Sequence, residues 1–232
     1  MLLKHNFGDC MIGVEDYLKV IYVLSRIKKG PVRTSDIASK LSITRGAVTL
    51  MVKKLADKRY LNYSRYQGVV LTRKGKDIGH SMLRRHRLIE LYLNQKLDVS
   101  ADAVHVEAEA LEHAVSDYLI DKIDIALDYP KFDPHGDPIP QKDGSFPLHQ
   151  DVKKLADCAE HDFGRIVRLS CDDQAFLQYL QSHNIQLNQH ITIQTFYSFD
   201  QSVDVLVGKT QHHLTSFDAD HIWIVPIKEV NK

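Results

Sequence analysis

The segment V-H-V-E-A-E-A-L-E-H-A-V-S-D, residues 104–117, constrains the fold and chemistry of this chain more than any other. It is rich in alanine and lacks glycine and proline, which predicts a helix. Helical spacing at i, i+4, i+7 and i+8 places four metal-binding side chains on one face, namely His105, Glu109, Glu112 and His113. Carboxylate oxygen and imidazole nitrogen suit Mn, Fe or Zn, so the stripe predicts a divalent-metal site. A solvated helix face is the alternative. Leu111, Val115 and Leu119 are expected to face a core instead.

The zero net charge hides a strong asymmetry along the chain. Residues 1–76 hold 16 Lys+Arg and 5 Asp+Glu, whereas residues 77–130 hold 5 and 11 and residues 131–232 hold 9 and 14. A basic N-terminal third predicts a nucleic-acid face, and the acidic remainder is compatible with a metal pocket. Scattered surface lysines would give the same totals, so charge alone does not decide between these readings.

Length and residue usage exclude several classes of protein. A chain of 232 residues allows one to three domains, and its apolar runs are shorter than the ~18 residues of a membrane span. Residues 1–13 lack the layout of a signal peptide. The cysteines form no CxxC pair and are odd in number, which predicts reduced thiols in a cytoplasmic protein. They are Cys10, Cys158 and Cys171.

The first third has the pattern of three helices. Apolar residues from Val14 onward keep a helical period, which predicts a helix over residues 14–28 that ends before a Gly-Pro pair. Thr34 or Ser35 is expected to cap a short second helix. A third, basic helix is expected over residues 45–58, so the pair predicts a helix-turn-helix.

A predicted hairpin completes this module. The segment Y-L-N-Y-S-R-Y-Q-G-V-V-L-T alternates and is rich in aromatic and β-branched residues, with a turn at Tyr66-Gln67-Gly68. The hairpin is a wing, so a winged helix-turn-helix is predicted. A winged-helix module for protein interaction would have the same core, but the basic charge argues against it.

The winged module supplies the predicted DNA contacts. Arg45 can donate two hydrogen bonds to a guanine edge, Ala47 can touch a thymine methyl, and Gly46 allows close approach. Lysines and arginines beyond the start of the third helix are expected to meet phosphates, which position the protein without reading sequence. The full predicted set is Thr34, Ser35, Thr44, Arg45, Gly46, Ala47, Thr49, Lys53, Lys54, Arg65 and Tyr66.

The middle of the chain predicts two long helices. Residues 77–97 form the first, and His86 and Glu90, at i and i+4, share a face. The second continues from residue 104 to about residue 128. Their apolar surface exceeds what one small domain can cover, which predicts a dimer interface.

The ordered motifs V-E-D-Y-L-K-V-I-Y, R-R-H-R-L-I-E, V-H-V-E-A-E-A-L-E-H-A-V-S-D and P-H-G-D-P-I-P resemble those of the diphtheria toxin repressor and manganese transport regulator family. The resemblance covers residues 14–140 and implies a metal-dependent dimeric transcriptional repressor. It implies a first metal site formed by Asp16, Glu109, Glu112 and His113. It implies a second site formed by His86, Glu90 and His105.

The same resemblance bears on the metal. Asp16 and Glu109 match the manganese type, because iron-type members carry Met and Cys at these positions. The two-domain manganese type has a Glu three residues after the Asp, where this chain has Lys19. The expected co-repressor is Mn(II), with Fe(II) as the alternative and Zn(II) binding in vitro.

The last third predicts a small β domain. Residues 129–150 have the composition of a linker, and short strands alternate from Phe163 onward, with a helical piece at Gln174–Gln181. This resembles the SH3-like barrel of the longer repressors. Asp172, Asp173 and Gln174 lie near the place where some relatives supply ligands, although an acidic loop that caps the helix explains them better. His212-His213 is expected in a surface turn.

The predicted fold class is therefore mostly α with small β. The expected domains are a winged helix-turn-helix at 1–76, a helical metal-binding and dimerisation domain at 77–142, and an SH3-like domain at 150–232. The leading hypothesis is a repressor of metal-uptake genes that binds a palindromic operator on double-stranded DNA. A metalloenzyme is disfavoured because neither H-E-x-x-H nor H-x-x-E-H is present. A regulator sensing an organic ligand is disfavoured because such pockets are mostly apolar.

Overall fold

The computed structural model describes residues 12–101, 103–148, 150–170 and 174–227. The chain divides into two compact units between Arg85 and His86. None of the helices in these described ranges has the length and apolarity needed to cross a membrane.

The first unit contains the predicted helices and wing. Its elements are α1 (Val14–Lys28), α2 (Thr34–Lys40), α3 (Arg45–Asp57), β1 (Leu61–Ser64), β2 (Gly68–Leu71) and the start of α4 (Arg73–Leu97). One apolar face of each helix is buried in a common core, which includes Leu18, Ile21, Ile37, Val48, Val52, Leu55 and Leu61. The period of 3.6 residues in the sequence therefore marks the faces that pack.

Capping differs from the prediction at α2. Thr34 and Ser35 are the first helical residues, and Arg33 occupies the N-cap position. The Asp36 carboxylate accepts the Arg33 backbone N–H at 3.3 Å, and Arg33 gives the first turn no side-chain cap. At α3, by contrast, the Thr44 hydroxyl accepts the Ala47 N–H at 3.2 Å.

The wing is fixed to the loop before α2. Val32 and Val69 exchange two backbone hydrogen bonds, of 2.9 and 2.8 Å. Gly68, at φ +89°, lies so close to this bridge that a Cβ there would stand 2.7 Å from the Val32 carbonyl oxygen. Only glycine combines this backbone conformation with this approach.

The helical part of the second unit corrects the prediction of one continuous helix from 104 to about 128. α5 (Val104–Leu111) ends at a turn, and α6 (Asp117–Ala126) begins after Ser116, whose hydroxyl accepts the Leu119 N–H at 3.3 Å. A serine N-cap starts a new helix where periodicity alone suggested continuation. Glu112 and His113 therefore lie at the end of α5 and in the turn.

The core predicted for this segment was wrong in part. Leu111 and Leu119 are 38% and 47% exposed, and Val115 is half-buried. The buried residues are Val104, Ala108, Ile120 and Ile123, which pack with Leu88, Ile89 and Ile139. Exposed apolar side chains continue along α5 and α6, namely Val106, Leu111, Tyr118, Leu119 and Ile125. This surface fits the predicted dimer interface.

The segment predicted as a linker is partly a packed loop. Phe132 and Pro138 form an antiparallel bridge, and Asp133, His135 and Ile139 are buried. We call residues 131–140 the Pro-rich loop.

The C-terminal part is a six-stranded antiparallel sheet with strand order β3-β8-β4-β5-β6-β7. The strands are β3 (Lys153–Lys154), β4 (Phe163–Leu169), β5 (His190–Phe196), β6 (Val203–Val207), β7 (Thr210–Leu214) and β8 (Ile222–Pro226), with α7 (Gln174–Ser182) and α8 (Ser216–His221). Their apolar residues form one core. His212 and His213 lie in β7, so the prediction of a turn was wrong. Asp172 and Asp173 lie outside the described residues, and only the backbone of Gln174 is described, at the start of α7.

Gly68→Ala is expected to lower the free energy of unfolding by about 1–3 kcal/mol, because the methyl group meets the Val32 carbonyl and φ is positive. Denaturant unfolding measures the loss. Gly144→Ala is the matched control, because Gly144 has φ +88° and nothing within 4 Å of its added Cβ. Equal losses in the two variants would show that the close fit of the wing contributes nothing.

Candidate metal centre

A completely buried carboxylate lies at the centre of the candidate site. Glu112 has 0% exposure, and its Oε2 lies 2.7 Å from Nδ1 of His86, which is also buried. α4 supplies His86, and the end of α5 supplies Glu112. Burying a carboxylate alone would cost several kcal/mol, so this contact with an imidazole is needed in the folded state.

The other nitrogen of His86 belongs to a triangle of three ligand atoms. His86 Nε2 lies 3.0 Å from Glu90 Oε1 and 3.0 Å from His105 Nδ1, and the last two atoms are 3.1 Å apart. Two ligands at right angles on a cation, each at about 2.1 Å, stand about 3.0 Å apart. The triangle therefore has the dimensions of one face of an octahedral site.

The charge state of the triangle also fits a cation. If His86 donates its Nδ1 proton to Glu112, its Nε2 presents a lone pair to the oxygen of Glu90. A metal-binding histidine typically donates its second ring N–H to a carboxylate in this way. Burial raises the Glu90 pKa, but the positive charge that His86 and His105 carry when protonated outweighs it and holds that pKa well below its ordinary range. A bound cation would supply the same positive charge beside neutral imidazoles.

Glu109 and His113 border this triangle on its exposed side. Glu109 Oε1 is 3.8 Å from His86 Nδ1 and 3.9 Å from His105 Nε2. His86, His105 and Glu109 each offer one ligand atom within 4.8 Å of the others. His113 Nε2 lies 3.6 Å from Glu112 Oε1, so the two oxygens of Glu112 face different histidines.

The structure thus brings six of the seven predicted ligands together in the second unit. Asp16 belongs to the first unit, where its carboxylate accepts the Gly13 N–H at 2.7 Å in the first turn of α1. Lys19, three residues further on, is buried.

The predicted DNA-contacting residues lie on the surface of the first unit. Arg45, Gly46 and Ala47 are exposed in the first turn of α3, and Lys53 and Lys54 are exposed further along it. The Thr49 hydroxyl donates to the Arg45 carbonyl at 2.8 Å, which leaves it less available to a base. Thr34 and Ser35 are half-buried, and Tyr66 is 91% exposed at the tip of the wing.

A groove of about 470 Å³ separates the wing from the start of α2. Its charged lining residues are Arg33 and Arg65, with Thr34 and Tyr66 beside them. Asp36, in the first turn of α2, is paired with Lys28 at 2.5 Å, and this hydrogen bond lowers the Asp36 pKa. The groove is therefore positive. Sequence reasoning missed Arg33, which can be associated with the wing only once the bridge between Val32 and Val69 is known.

These observations define the class of the protein: a winged helix-turn-helix protein with a candidate metal centre of histidine and carboxylate side chains. Family models agree, with the N-terminal DNA-binding domain of iron-dependent repressors at residues 10–69, their metal-binding and dimerisation domain at 72–141, and an FeoA domain at 153–226.

Individual relatives give the same result. The HTH-type transcriptional regulator MntR of Geobacillus thermodenitrificans is 41% identical over 117 residues, which cover 50% of this chain and 82% of the relative. The structure of a manganese-dependent transcriptional repressor in complex with manganese matches at a TM-score of 0.85 and 34% identity, over 93% of this chain and 100% of that chain. ScaR with bound Zn²⁺ matches at 0.79 and 31%, over 93% and 100%.

The chain belongs to the diphtheria toxin repressor and manganese transport regulator family, in its three-domain form. The members of this family are DNA-binding transcriptional regulators and not enzymes, as the sequence predicted.

Glu90→Gln is expected to weaken Mn²⁺ binding at least tenfold, because even residues that only orient metal ligands contribute about 10–100-fold. Calorimetric titration of the metal-free protein measures the affinity. Glu107→Gln is the control, because Glu107 makes the same charge change at an exposed position of α5. If the two variants bind Mn²⁺ equally well, the triangle is not a binding site.

Proposed function

We propose that this protein is a Mn²⁺-activated dimeric repressor that binds a palindromic operator and controls metal-uptake genes. The triangle of His86, Glu90 and His105, on a chain that also carries a winged helix-turn-helix, is the observation that carries the proposal. The manganese-dependent repressors among its relatives support the choice of metal.

Two ligand sets are proposed to hold metal. The first is Asp16, Glu109, Glu112 and His113, and the second is His86, Glu90 and His105. Glu112 connects them, because one of its oxygens faces His86 and the other faces His113. A bound divalent cation would supply positive charge that offsets the repulsion among these carboxylates.

The donor chemistry supports Mn²⁺. Oxygen and imidazole nitrogen accept Mn²⁺, whereas sulfur ligands favour softer metals. Fe²⁺ is the alternative, in keeping with the iron-dependent repressor models that match the chain. Zn²⁺ is expected to bind in vitro, because sites with nitrogen and oxygen ligands generally bind Zn²⁺ more tightly than Mn²⁺.

DNA recognition is proposed to use the start of α3 for bases and the surrounding cations for phosphates. The exposed apolar surface of α5 and α6 would pair two copies, so that two α3 helices meet half-sites about one DNA turn apart. The groove containing Arg33 and Arg65 is suited to a backbone phosphate.

The proposed domains are 1–76, 77–142 and 150–232, bounds supported by the three family matches. We propose a cytoplasmic location, because the operator is there.

Glu112→Ala is expected to abolish Mn²⁺-dependent operator binding while the dimer stays folded, because it removes a carboxylate of the first ligand set that also contacts His86 of the second. Fluorescence anisotropy with labelled operator measures binding, and size-exclusion chromatography checks the dimer. Glu107→Ala, on the exposed face of α5, is the control. Normal operator binding by Glu112→Ala at micromolar Mn²⁺ would show that the face carrying His105, Glu109, Glu112 and His113 binds no activating metal.

The double variant Asp16→Met with Glu109→Cys is expected to shift activation toward Fe²⁺, Co²⁺ or Ni²⁺ and away from Mn²⁺, because sulfur replaces oxygen. The same anisotropy assay, run with each metal separately, gives the order. An unchanged order of metals would mean that these two residues do not set selectivity.

Arg45→Ala is expected to reduce discrimination between operator and a single-base variant by about 1–3 kcal/mol, whereas Lys53→Ala should weaken binding to both equally and lower the salt slope by about one. Titrations at several salt concentrations separate these effects. Equal losses of specificity in both variants would contradict the assigned roles.

A further inference from the structure

The Pro-rich loop holds its own shape through one buried carboxylate. Asp133 Oδ1 accepts the N–H groups of His135 and Asp137, each at 2.9 Å. Burial, together with the neighbouring charge of Asp137, raises the Asp133 pKa well above its ordinary value. Asp133 Oδ2 also lies 3.4 Å from Arg87 Nε, so Arg87 faces both carboxyl groups of the loop, whereas Arg168 faces Asp137.

The helix that carries the metal ligands contacts this loop directly. Arg87, the residue after His86, donates from Nη1 to the Pro138 carbonyl at 2.5 Å. Its Nη2 lies 3.5 Å from Asp137 Oδ1, and its side chain is only 13% exposed. The position of α4 at His86 is thus tied to the loop.

The C-terminal sheet contacts the same carboxylate. Arg168 of β4 places Nη2 at 2.5 Å from Asp137 Oδ1, and the Ser170 hydroxyl lies 3.4 Å from that oxygen. The Leu169 N–H donates to the His135 carbonyl at 2.8 Å. A Cβ on Gly136, at φ +82°, would stand 2.0 Å from the Val167 carbonyl oxygen, so the loop and β4 are in backbone contact.

One oxygen of Asp137 therefore joins an arginine of the metal-binding helix to an arginine of the C-terminal sheet. We propose that Asp137 and Arg168 are positioning residues for the metal centre, so that metal affinity depends on the C-terminal domain although neither residue is a ligand. The inference rests on the proposed function, since it assumes that the His86 cluster binds metal. We call Arg87, Asp137 and Arg168 the Asp137 junction.

The direction of the change in Mn²⁺ affinity distinguishes a positioning role of these two residues from a direct effect of their charges on the cation. If only Coulomb interaction with the cation mattered, Asp137→Asn would weaken Mn²⁺ binding and Arg168→Gln would strengthen it. If the junction positions α4, both variants weaken binding, by roughly three- to tenfold each. The double variant is then expected to bind Mn²⁺ with the same affinity as the single variant that binds less tightly, because both substitutions remove one shared contact.

The sheet offers a matched control for Arg168. The guanidinium of Arg168 lies over the Trp223 ring at 5.0 Å from its centroid, and Lys154 Nζ lies over the same ring at 5.6 Å. Lys154 pairs with Asp220 at 2.9 Å and is outside the junction. Lys154→Gln therefore removes a cation from the same tryptophan without touching Asp137, and Mn²⁺ affinity should not change. Arg168→Lys keeps a cation facing Asp137 and should restore most of the affinity.

The experiment is a Mn²⁺ titration of the full chain followed by the electron paramagnetic resonance signal of free Mn²⁺. Thermal unfolding is recorded for each variant. If Asp137→Asn fails to fold, Arg168→Gln still provides the test, because it leaves the internal hydrogen bonds of the Pro-rich loop intact. Hydrogen exchange at the Leu169 amide gives the reciprocal measurement, since Mn²⁺ should slow it in the wild type and not in Arg168→Gln.

Wild-type affinity, or tighter binding, in folded Arg168→Gln overturns the inference and leaves the proposed function standing. A wild-type chain that binds no Mn²⁺ overturns the proposed function and the inference with it.

Discussion

The contact between the buried carboxylate of Glu112 and the imidazole of His86 is the interaction on which the candidate metal centre depends. A carboxylate removed from water needs a partner that can carry charge, because its desolvation costs several kcal/mol. The end of α5, the turn before Ser116 and the position of α4 all bring that partner into place. The chemistry of the cluster follows, because His86 then presents its second nitrogen to Glu90 and His105, in a cluster whose donor atoms would suit a divalent cation.

Much of this organisation can be predicted from the sequence where a period or a cap is local. The helical period of residues 14–28 and the alternation after Tyr60 predict α1 and the wing within a few residues, because one buried face determines each pattern. The spacing of His86 and Glu90 predicts that both lie on one face of α4. The resemblance of the ordered motifs adds the three-domain form, which the family matches confirm.

Other features depend on contacts between segments far apart in the sequence. The break after Leu111 could not be predicted from periodicity, because α5 and α6 keep a similar apolar spacing on either side of it. The packed Pro-rich loop has the composition of a linker, and its burial depends on Arg87 and on β4. The same reason explains why His212 and His213 were placed in a turn, since strand β7 is defined by its pairing with β6.

The stacking of Arg168 on Trp223 has a practical consequence. Trp223 is the single tryptophan of the chain, so its emission comes from one place in the molecule. The guanidinium over its ring also binds Asp137, which in turn faces Arg87. The protein therefore carries a native optical probe beside the connection between α4 and its C-terminal sheet, and events at that connection can be followed without an attached dye.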